Sequence, residues 1–158
     1  MIRFPHYVPL CQLAILFLWA IVQFSVNQIS LARLPEPAAN AIEATIPGGT
    51  RLRIKSEIQD GEMVFEVSVR RQNEVYDVTV SPNGHVFEIE KRILPRQLPK
   101  LIADAVRVRH PNSSVLKAKE VSRENQVTGY ELAMVTKEGR IVKAAFTRDG
   151  AMIGERVQ

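Results

Sequence analysis

The feature that most limits how this chain can fold is a pattern that occurs twice. Residues 34–49 read LPEPAANAIEATIPGG and residues 98–113 read LPKLIADAVRVRHPNS, with five identities at an offset of 64: Leu34/Leu98, Pro35/Pro99, Ala39/Ala103, Ala41/Ala105 and Pro47/Pro111. The likeness continues as MVFEVSV (63–69) against TGYELAM (128–134) at an offset of 65, and as VTVSPNGHVF (78–87) against AAFTRDGAMI (144–153) at 66. An offset that grows by one residue at a time puts the insertions in loops, and self-similarity at a fixed period marks a duplicated structural unit. A unit of about 60 residues buries too little apolar surface to be comfortably stable alone, so the two must share a structure.

Each unit reads as one helix and then four strands. Ala38, Ala41, Ile42, Thr45 and Ile46 recur at helical spacing, as do Leu98, Leu101, Ile102, Ala105 and Val108, and both helices are stopped by a proline, Pro47 or Pro111. The strands of the first unit are expected at about 50–58, 62–70, 75–81 and 85–92, with two-residue turns at Asp60-Gly61 and Asn83-Gly84 and a turn around Asn73. Alternation turns Leu52, Ile54 and Ile58; Met63, Phe65, Val67 and Val69; Tyr76, Val78 and Val80; and Phe87 and Ile89 toward the helix. The matching set in the second unit is Leu116 and Ala118; Tyr130, Leu132 and Met134; Val142, Ala144 and Phe146; and Ile153. The expected fold class is α+β: two tandem α-β4 repeats, 34–96 and 97–158, forming one antiparallel sheet with two helices packed on one face.

Ahead of these units, Phe4 to Ala32 contains no Lys, Arg, Asp or Glu, and residues 8–26 are almost wholly apolar. With Arg3 before it and Ser30-Leu31-Ala32 after it, the segment reads as a signal peptide over residues 1–32, the alternative being an uncleaved membrane anchor over 8–26. Either reading places the remainder outside the cytoplasm, periplasmic or secreted, or tethered to the inner membrane. Cys11 and Trp19 are the only Cys and Trp, so the remainder can form no disulfide and depends on burial and hydrogen bonding. Removing residues 1–32 lowers the net charge from +4 to +3, and acids and bases interleave with few aromatic residues, which gives no basis for nucleic-acid binding.

Residues with catalytic or ligating chemistry are sparse. His85 flanks a hairpin turn and His110 precedes Pro111, and neither has the neighbours a zinc site needs. Ser113-Ser114 follows a Pro-Asn turn, where hydroxyls bond the local backbone. Glu88 and Glu90 share a strand face but read as a charged sheet surface rather than an acid-base pair. The expectation is no enzyme, no catalytic residue, no metal and no cofactor.

What remains is the sheet face turned away from the helices. It carries Arg53, Lys55, Glu66, Arg70, Asp77, Glu88 and Glu90, then Lys117, Lys119, Glu131, Lys143 and Arg156, with Ala133, Val135, Ile141 and Ala145 between them. The candidate protein-binding residues are Arg53, Lys55, Glu66, Asp77, Glu88, Lys117, Lys119, Glu131 and Lys143.

The helix ending Ile46-Pro47-Gly48, the aromatic-Glu-aliphatic strands Phe65-Glu66-Val67 and Tyr130-Glu131-Leu132, and the Asn-Gly and Asp-Gly hairpins resemble tandem PepSY-like domains. The fold of that group is similar to that of the beta-lactamase-inhibitor protein. The resemblance covers residues 34–158; Asn112 replaces the Gly48 type of residue in the second unit, and Phe65 the more usual Tyr in the first. It implies a non-enzymatic binding module outside the cytoplasm, one that regulates or inhibits a peptidase or other envelope protein through its open sheet face. The alternative is a small-molecule or lipid carrier with an apolar cavity between sheet and helices, left open by Ala38, Ala41, Ala103, Ala105, Ala118 and Ala144.

Overall fold

The computed structural model describes residues 34–158; the signal-peptide or anchor segment, 1–32, lies outside the described residues. Helix α1 (Glu36–Thr45) is followed by strands β1 (Thr50–Gln59), β2 (Glu62–Arg71), β3 (Glu74–Val80) and β4 (Val86–Ile93). A short 3-10 turn at Pro95–Gln97 leads to helix α2 (Lys100–Arg109) and strands β5 (Ser114–Arg123), β6 (Gln126–Val135), β7 (Ile141–Thr147) and β8 (Met152–Val157). All eight strands pair antiparallel with their sequence neighbours, in the order β1 to β8 across one sheet.

The expected arrangement, two tandem α-β4 repeats with two helices packed on one face of their sheet, is overturned. The sheet is continuous, and the helices lie toward its two ends, each over its own core. Ala38 and Ile42 of α1, with Ile46 just after it, pack on Phe65, Val67, Val69, Val78 and Val80 of β2 and β3. Ile102 and Val106 of α2 pack on Tyr130, Leu132, Met134, Val142, Ala144 and Phe146 of β6 and β7. The two clusters have no residue in common. A ten-residue helix is about 15 Å long and cannot span an eight-stranded sheet with strands about 4.8 Å apart, so each helix covers the strands nearest to it.

Several expected core residues lie outside both clusters, and four of them do so for one reason. Arg51 pairs with Val69 but Arg53 with Ser68, leaving Leu52 as an extra residue. Phe87, Leu116 and Ile153 are likewise the unpaired residues where the β3-β4, β5-β6 and β7-β8 registers shift. Such a bulge moves the alternation by one position, so Val86, Val115 and Met152 pack on the cores while Leu52, Phe87 and Leu116 are exposed. Ile58 and Met63 keep their side of the sheet but sit at the tip of the β1-β2 hairpin, beyond the reach of α1, and are exposed. On α2 the stripe facing the sheet has Ile102 and Val106 buried and Ala105 partly so, continuing from Leu98 ahead of the helix, which leaves Leu101 and Val108 exposed at its flanks.

The hairpin turns also differ from the expected two-residue loops. In Ser81-Pro82-Asn83-Gly84-His85 the Gly84 amide donates to Ser81 O (3.0 Å) and the Ser81 amide to His85 O (2.9 Å). Only Gly84 takes a positive φ, of 89°. The same bonds recur in Thr147-Arg148-Asp149-Gly150-Ala151 and in Thr136-Lys137-Glu138-Gly139-Arg140, with Gly150 and Gly139 as the left-handed residue. This is a type I turn closed by a glycine bulge, the usual three-residue hairpin loop.

The first two of these turns tuck under the helices. A methyl group on Gly84 would lie 2.7 Å from the carbonyl oxygen of Pro37 at the start of α1, whereas one on Gly150 would meet the Leu101 side chain at 3.1 Å. Leu101 is exposed and can rotate away; backbone cannot. Gly84→Ala is therefore expected to lose more stability than Gly150→Ala, the latter paying only the left-handed penalty of about 1–2 kcal/mol. Equal shifts in the urea midpoints of the two variants would show that α1 yields as readily as a side chain.

Both helices end alike. Ile46 and His110 donate their amides to Ile42 O and Val106 O, a proline follows, and the residue after it, Gly48 or Asn112, has a φ of 69° or 65°. Asn is the non-glycine residue best suited to that geometry, so its replacement of glycine in the second half leaves the helix stop unchanged.

Candidate functional site: the open face of the sheet

The ladders bring the charged residues into rows across the face opposite the helices. One row runs Arg53, Ser68, Asp77, Glu90 and Val121 from β1 to β5, a second runs Lys55, Glu66, Thr79 and Glu88 from β1 to β4, and a third runs Arg92, Lys119, Glu131, Ala145 and Gly154 from β4 to β8. Lys117, Ala133, Lys143 and Arg156 form a fourth, from β5 to β8. All nine candidate residues thus share one face. They do not form one cluster: Asp77 and Lys119 meet at the middle, Glu88 pairs with Arg123 on the same two central strands β4 and β5, Arg53, Lys55 and Glu66 lie toward the β1 edge, and Lys117, Glu131 and Lys143 lie in the second half.

At the middle is a carboxylate that is 2% exposed although no helix covers this side. Asp77 accepts a hydrogen bond from Ser68 Oγ at 2.5 Å, is held by Arg92 Nη2 at 3.0 Å, and lies 3.3 Å from Lys119 Nζ. Lys119 reaches Glu90 at 2.5 Å, and Arg123 reaches Glu88 at 2.6 Å. Asp77 is on β3, Glu88, Glu90 and Arg92 on β4, and Lys119 and Arg123 on β5, so the network spans the junction between the halves. The helix side has two separate clusters there, and the opposite side has ion pairs. A buried carboxylate persists when its charge is paired and its lone pairs are bonded, and Asp77 meets both conditions. Ser68, Arg92 and Arg123 were not among the sequence candidates. Arg92 had a signal, since it follows Glu88 and Glu90 at period two on the same strand.

The acids of this network respond oppositely to their surroundings. Burial alone would raise the Asp77 pKa, but the Ser68 hydroxyl and the Lys119 and Arg92 charges outweigh it and hold the carboxyl below the ordinary aspartate range. For Glu90, burial dominates over the pull of Lys119, with Glu131 and Glu88 adding repulsion, and the pKa is pushed up to about 7. A raised pKa means that the folded protein holds this proton more tightly than the unfolded chain. The stabilisation is complete below the unfolded value of about 4.5 and is lost as the pH rises through about 7. The depressed Asp77 works at the acid end, its contribution being lost as the pH falls through the folded pKa. Thermal stability is therefore expected to decline from about pH 5 to about pH 8, by at most about 3 kcal/mol. Glu90→Gln should flatten that slope, and an unaltered slope in the variant would locate the titrating group elsewhere.

A cleft of about 400 Å³ lies between Ala44 and Thr45 of α1, Phe87 and Glu88 on β4, and Arg123 to Asn125 at the β5-β6 turn; another, about 200 Å³, is lined by Leu98, Ala103, Val106, His110 and Val115. Neither is a closed apolar chamber between sheet and helix: of the six alanines that would have to leave space, Ala38, Ala118 and Ala144 are buried in the cores, Ala41 and Ala105 pack partly buried against them, and Ala103 lines the smaller, open cleft. Among the described residues no group of three or more His, Cys, Asp or Glu is placed to hold a metal ion, and no helix is long and apolar enough to cross a membrane.

No family model and no curated protein matches the sequence. Solved structures do match in shape. A DUF2874 family protein from Bacteroides uniformis superposes with a TM-score of 0.65 at 10% identity, over 78% of this chain and 88% of that one. A candidate periplasmic protein from Bacteroides eggerthii gives 0.67 at 12%, over 79% and 89%. A BLIP-like protein from Bacteroides fragilis gives 0.61 at 18%, over 80% and 89%. At these identities the likeness concerns the fold alone, and the fold of this chain is BLIP-like.

Proposed function

We propose that this chain is a binding module that carries out no chemistry itself and grips another protein outside the cytoplasm through its open sheet face. The observation that carries the reading is the Asp77 network. A buried carboxylate with three bonded partners, on a face that no element of the described fold covers, fixes the orientations of Arg92, Lys119 and Ser68 across the centre of that face. Fixed charged side chains lose little entropy when a partner docks, and a preformed surface of this kind suits a protein ligand. The candidate residues Arg53, Lys55, Glu66, Asp77, Glu88, Lys117, Lys119, Glu131 and Lys143 form this surface, with Arg92 and Arg123 added.

The finer assignments rest on the sequence resemblance. The PepSY-like halves 34–96 and 97–158, and a peptidase or other envelope protein as the partner, belong to this proposal. So does export with cleavage after Ala32, which rests on the apolar segment and Ser30-Leu31-Ala32; the periplasmic description of the Bacteroides eggerthii neighbour agrees with the location only. Intact-mass measurement on protein from its own host should find a chain beginning at Arg33 and lacking Trp19; a membrane-bound species that retains Trp19 would establish the anchor instead.

Charge reversal tests the face. Lys143→Glu and Glu66→Lys, each checked for folding by circular dichroism, should weaken binding to a partner recovered from the host envelope. A charged contact desolvated on binding is typically worth about 2 kcal/mol, or roughly thirtyfold in affinity. Unchanged affinity in both, with loss when the turn at 123–126 is altered, would move the site to the end of the sheet and end this reading.

A further inference from the structure

The cations of the open face divide into two groups. At the centre and in the first half most face an acid: Arg53 pairs with Glu66, Arg92 and Lys119 with Asp77, Lys119 also with Glu90, and Arg123 with Glu88. In the second half, Lys117, Lys143 and Arg156 make no ion pair among the described residues, yet they occupy one row with only Ala133 between the first two. Lys143 and Arg156 are directly opposite each other on β7 and β8. Like charges in that relation destabilise a sheet, so the row holds a repulsion that the fold itself does not relieve. Arg156 Nε is moreover buried and has no hydrogen-bond partner. The acid of the adjacent row, Glu131, lies diagonally to Lys117 and Lys143 and forms no ion pair with either among the described residues, so the patch keeps a net positive charge. Its floor is made of small residues, Ala133, Ala145 and Gly154, which lets a partner approach the sheet closely.

We infer that this row receives an acidic segment of the partner, a run of Asp or Glu side chains lying across β5 to β8. The inference rests on the open face being the binding surface and adds which part of it is used and what chemistry it takes. Carboxylates satisfy two needs at once: they neutralise the Lys143-Arg156 repulsion, and they supply acceptors to ammonium and guanidinium groups that the fold leaves without any.

The probe is a short fluorescent polyglutamate peptide, with neutral Gly-Ser and polylysine peptides as controls, titrated by anisotropy at low and at physiological salt. The polyglutamate is expected to bind, to weaken steeply with salt, and to lose about tenfold in affinity for each of Lys117→Glu and Lys143→Glu. Lys143→Gln should give a smaller loss and a gain in thermal stability, because it removes the repulsion without introducing a new charge. Arg109→Glu, exposed on α2 and so on the other side of the sheet, should leave binding unchanged. No binding of polyglutamate, or an equal loss in the Arg109 and Lys143 variants, would overturn the inference. If a recovered envelope partner still depended on Glu66 and Lys143 while polyglutamate did not bind, the acidic-segment inference alone would fall; if the partner ignored both residues, the open-face reading would fall with it.

Discussion

Lys119→Ala is expected to be the most damaging charge substitution in the protein, with a loss of about 3 kcal/mol near pH 8. Lys119 touches both Asp77 and Glu90, so its removal strands two carboxylates rather than one. Breaking a buried ion pair from one side costs about 3–5 kcal/mol, and the lower end applies because the Lys119 side chain is 32% exposed. Removal of Arg92 should cost far less, since Lys119 and Ser68 still hold Asp77 and the guanidinium is half exposed. The Lys119 effect should also depend on pH. Glu90 already has a pKa of about 7, and without the lysine it rises further, so in mild acid the stranded group takes a proton and the loss shrinks. Urea unfolding near pH 8 and near pH 5 tests this. An equal loss at both, or one below about 1 kcal/mol, would mean that solvent compensates Asp77 and Glu90. Lys119→Met combined with Glu90→Gln should recover much of the stability, because one of the two stranded acids is then neutral.

The sequence and the structure part company at particular places. The strand limits and the side taken by most residues follow from alternation, and the nine candidate residues all lie on the face that alternation assigned to them. Alternation failed at Leu52, Phe87, Leu116 and Ile153, because it assumes one residue on each strand for each on its neighbour, which a bulge violates. Three of those positions carried a warning, since Val86-Phe87, Val115-Leu116 and Met152-Ile153 are adjacent apolar pairs where a half-buried strand should alternate. The helix layer was misjudged for a different reason. Apolar stripes show that a helix covers a sheet but not which strands, and the number of strands side by side decides whether two short helices can meet. For the site, the row of a charge was legible from strand spacing, whereas its partner was not. Asp77 looked like any exposed acid until the β3-β4 and β4-β5 registers brought Arg92 and Lys119 against it.

Phe146→Ala should cost about 3–5 kcal/mol, and the loss should appear in both halves of the molecule. Phe146 is among the largest fully buried side chains, on β7 in the cluster beneath α2, and truncation there leaves a cavity lined by Tyr130, Val142 and their neighbours, which backbone pairing holds apart. Two clusters with no residue in common would be free to melt separately if nothing linked them. The link is the β4-β5 ladder, from Ile89↔Ser122 to Ile93↔Ala118, together with the ion network above it. If β5 left with the second half, β4 would expose a full row of unpaired backbone groups, and Asp77 and Glu90 would lose Lys119. Those costs fall on the half that contains no altered residue, so a single transition is expected, with the amides of β2 and β3 losing protection together with those of β6 and β7. Hydrogen exchange on the Phe146 variant distinguishes the cases. If β2 and β3 stayed protected while β6 and β7 exchanged freely, or if a chain ending at Arg96 melted sharply alone, the ion network would be a surface feature and the two cores would be independent folding units.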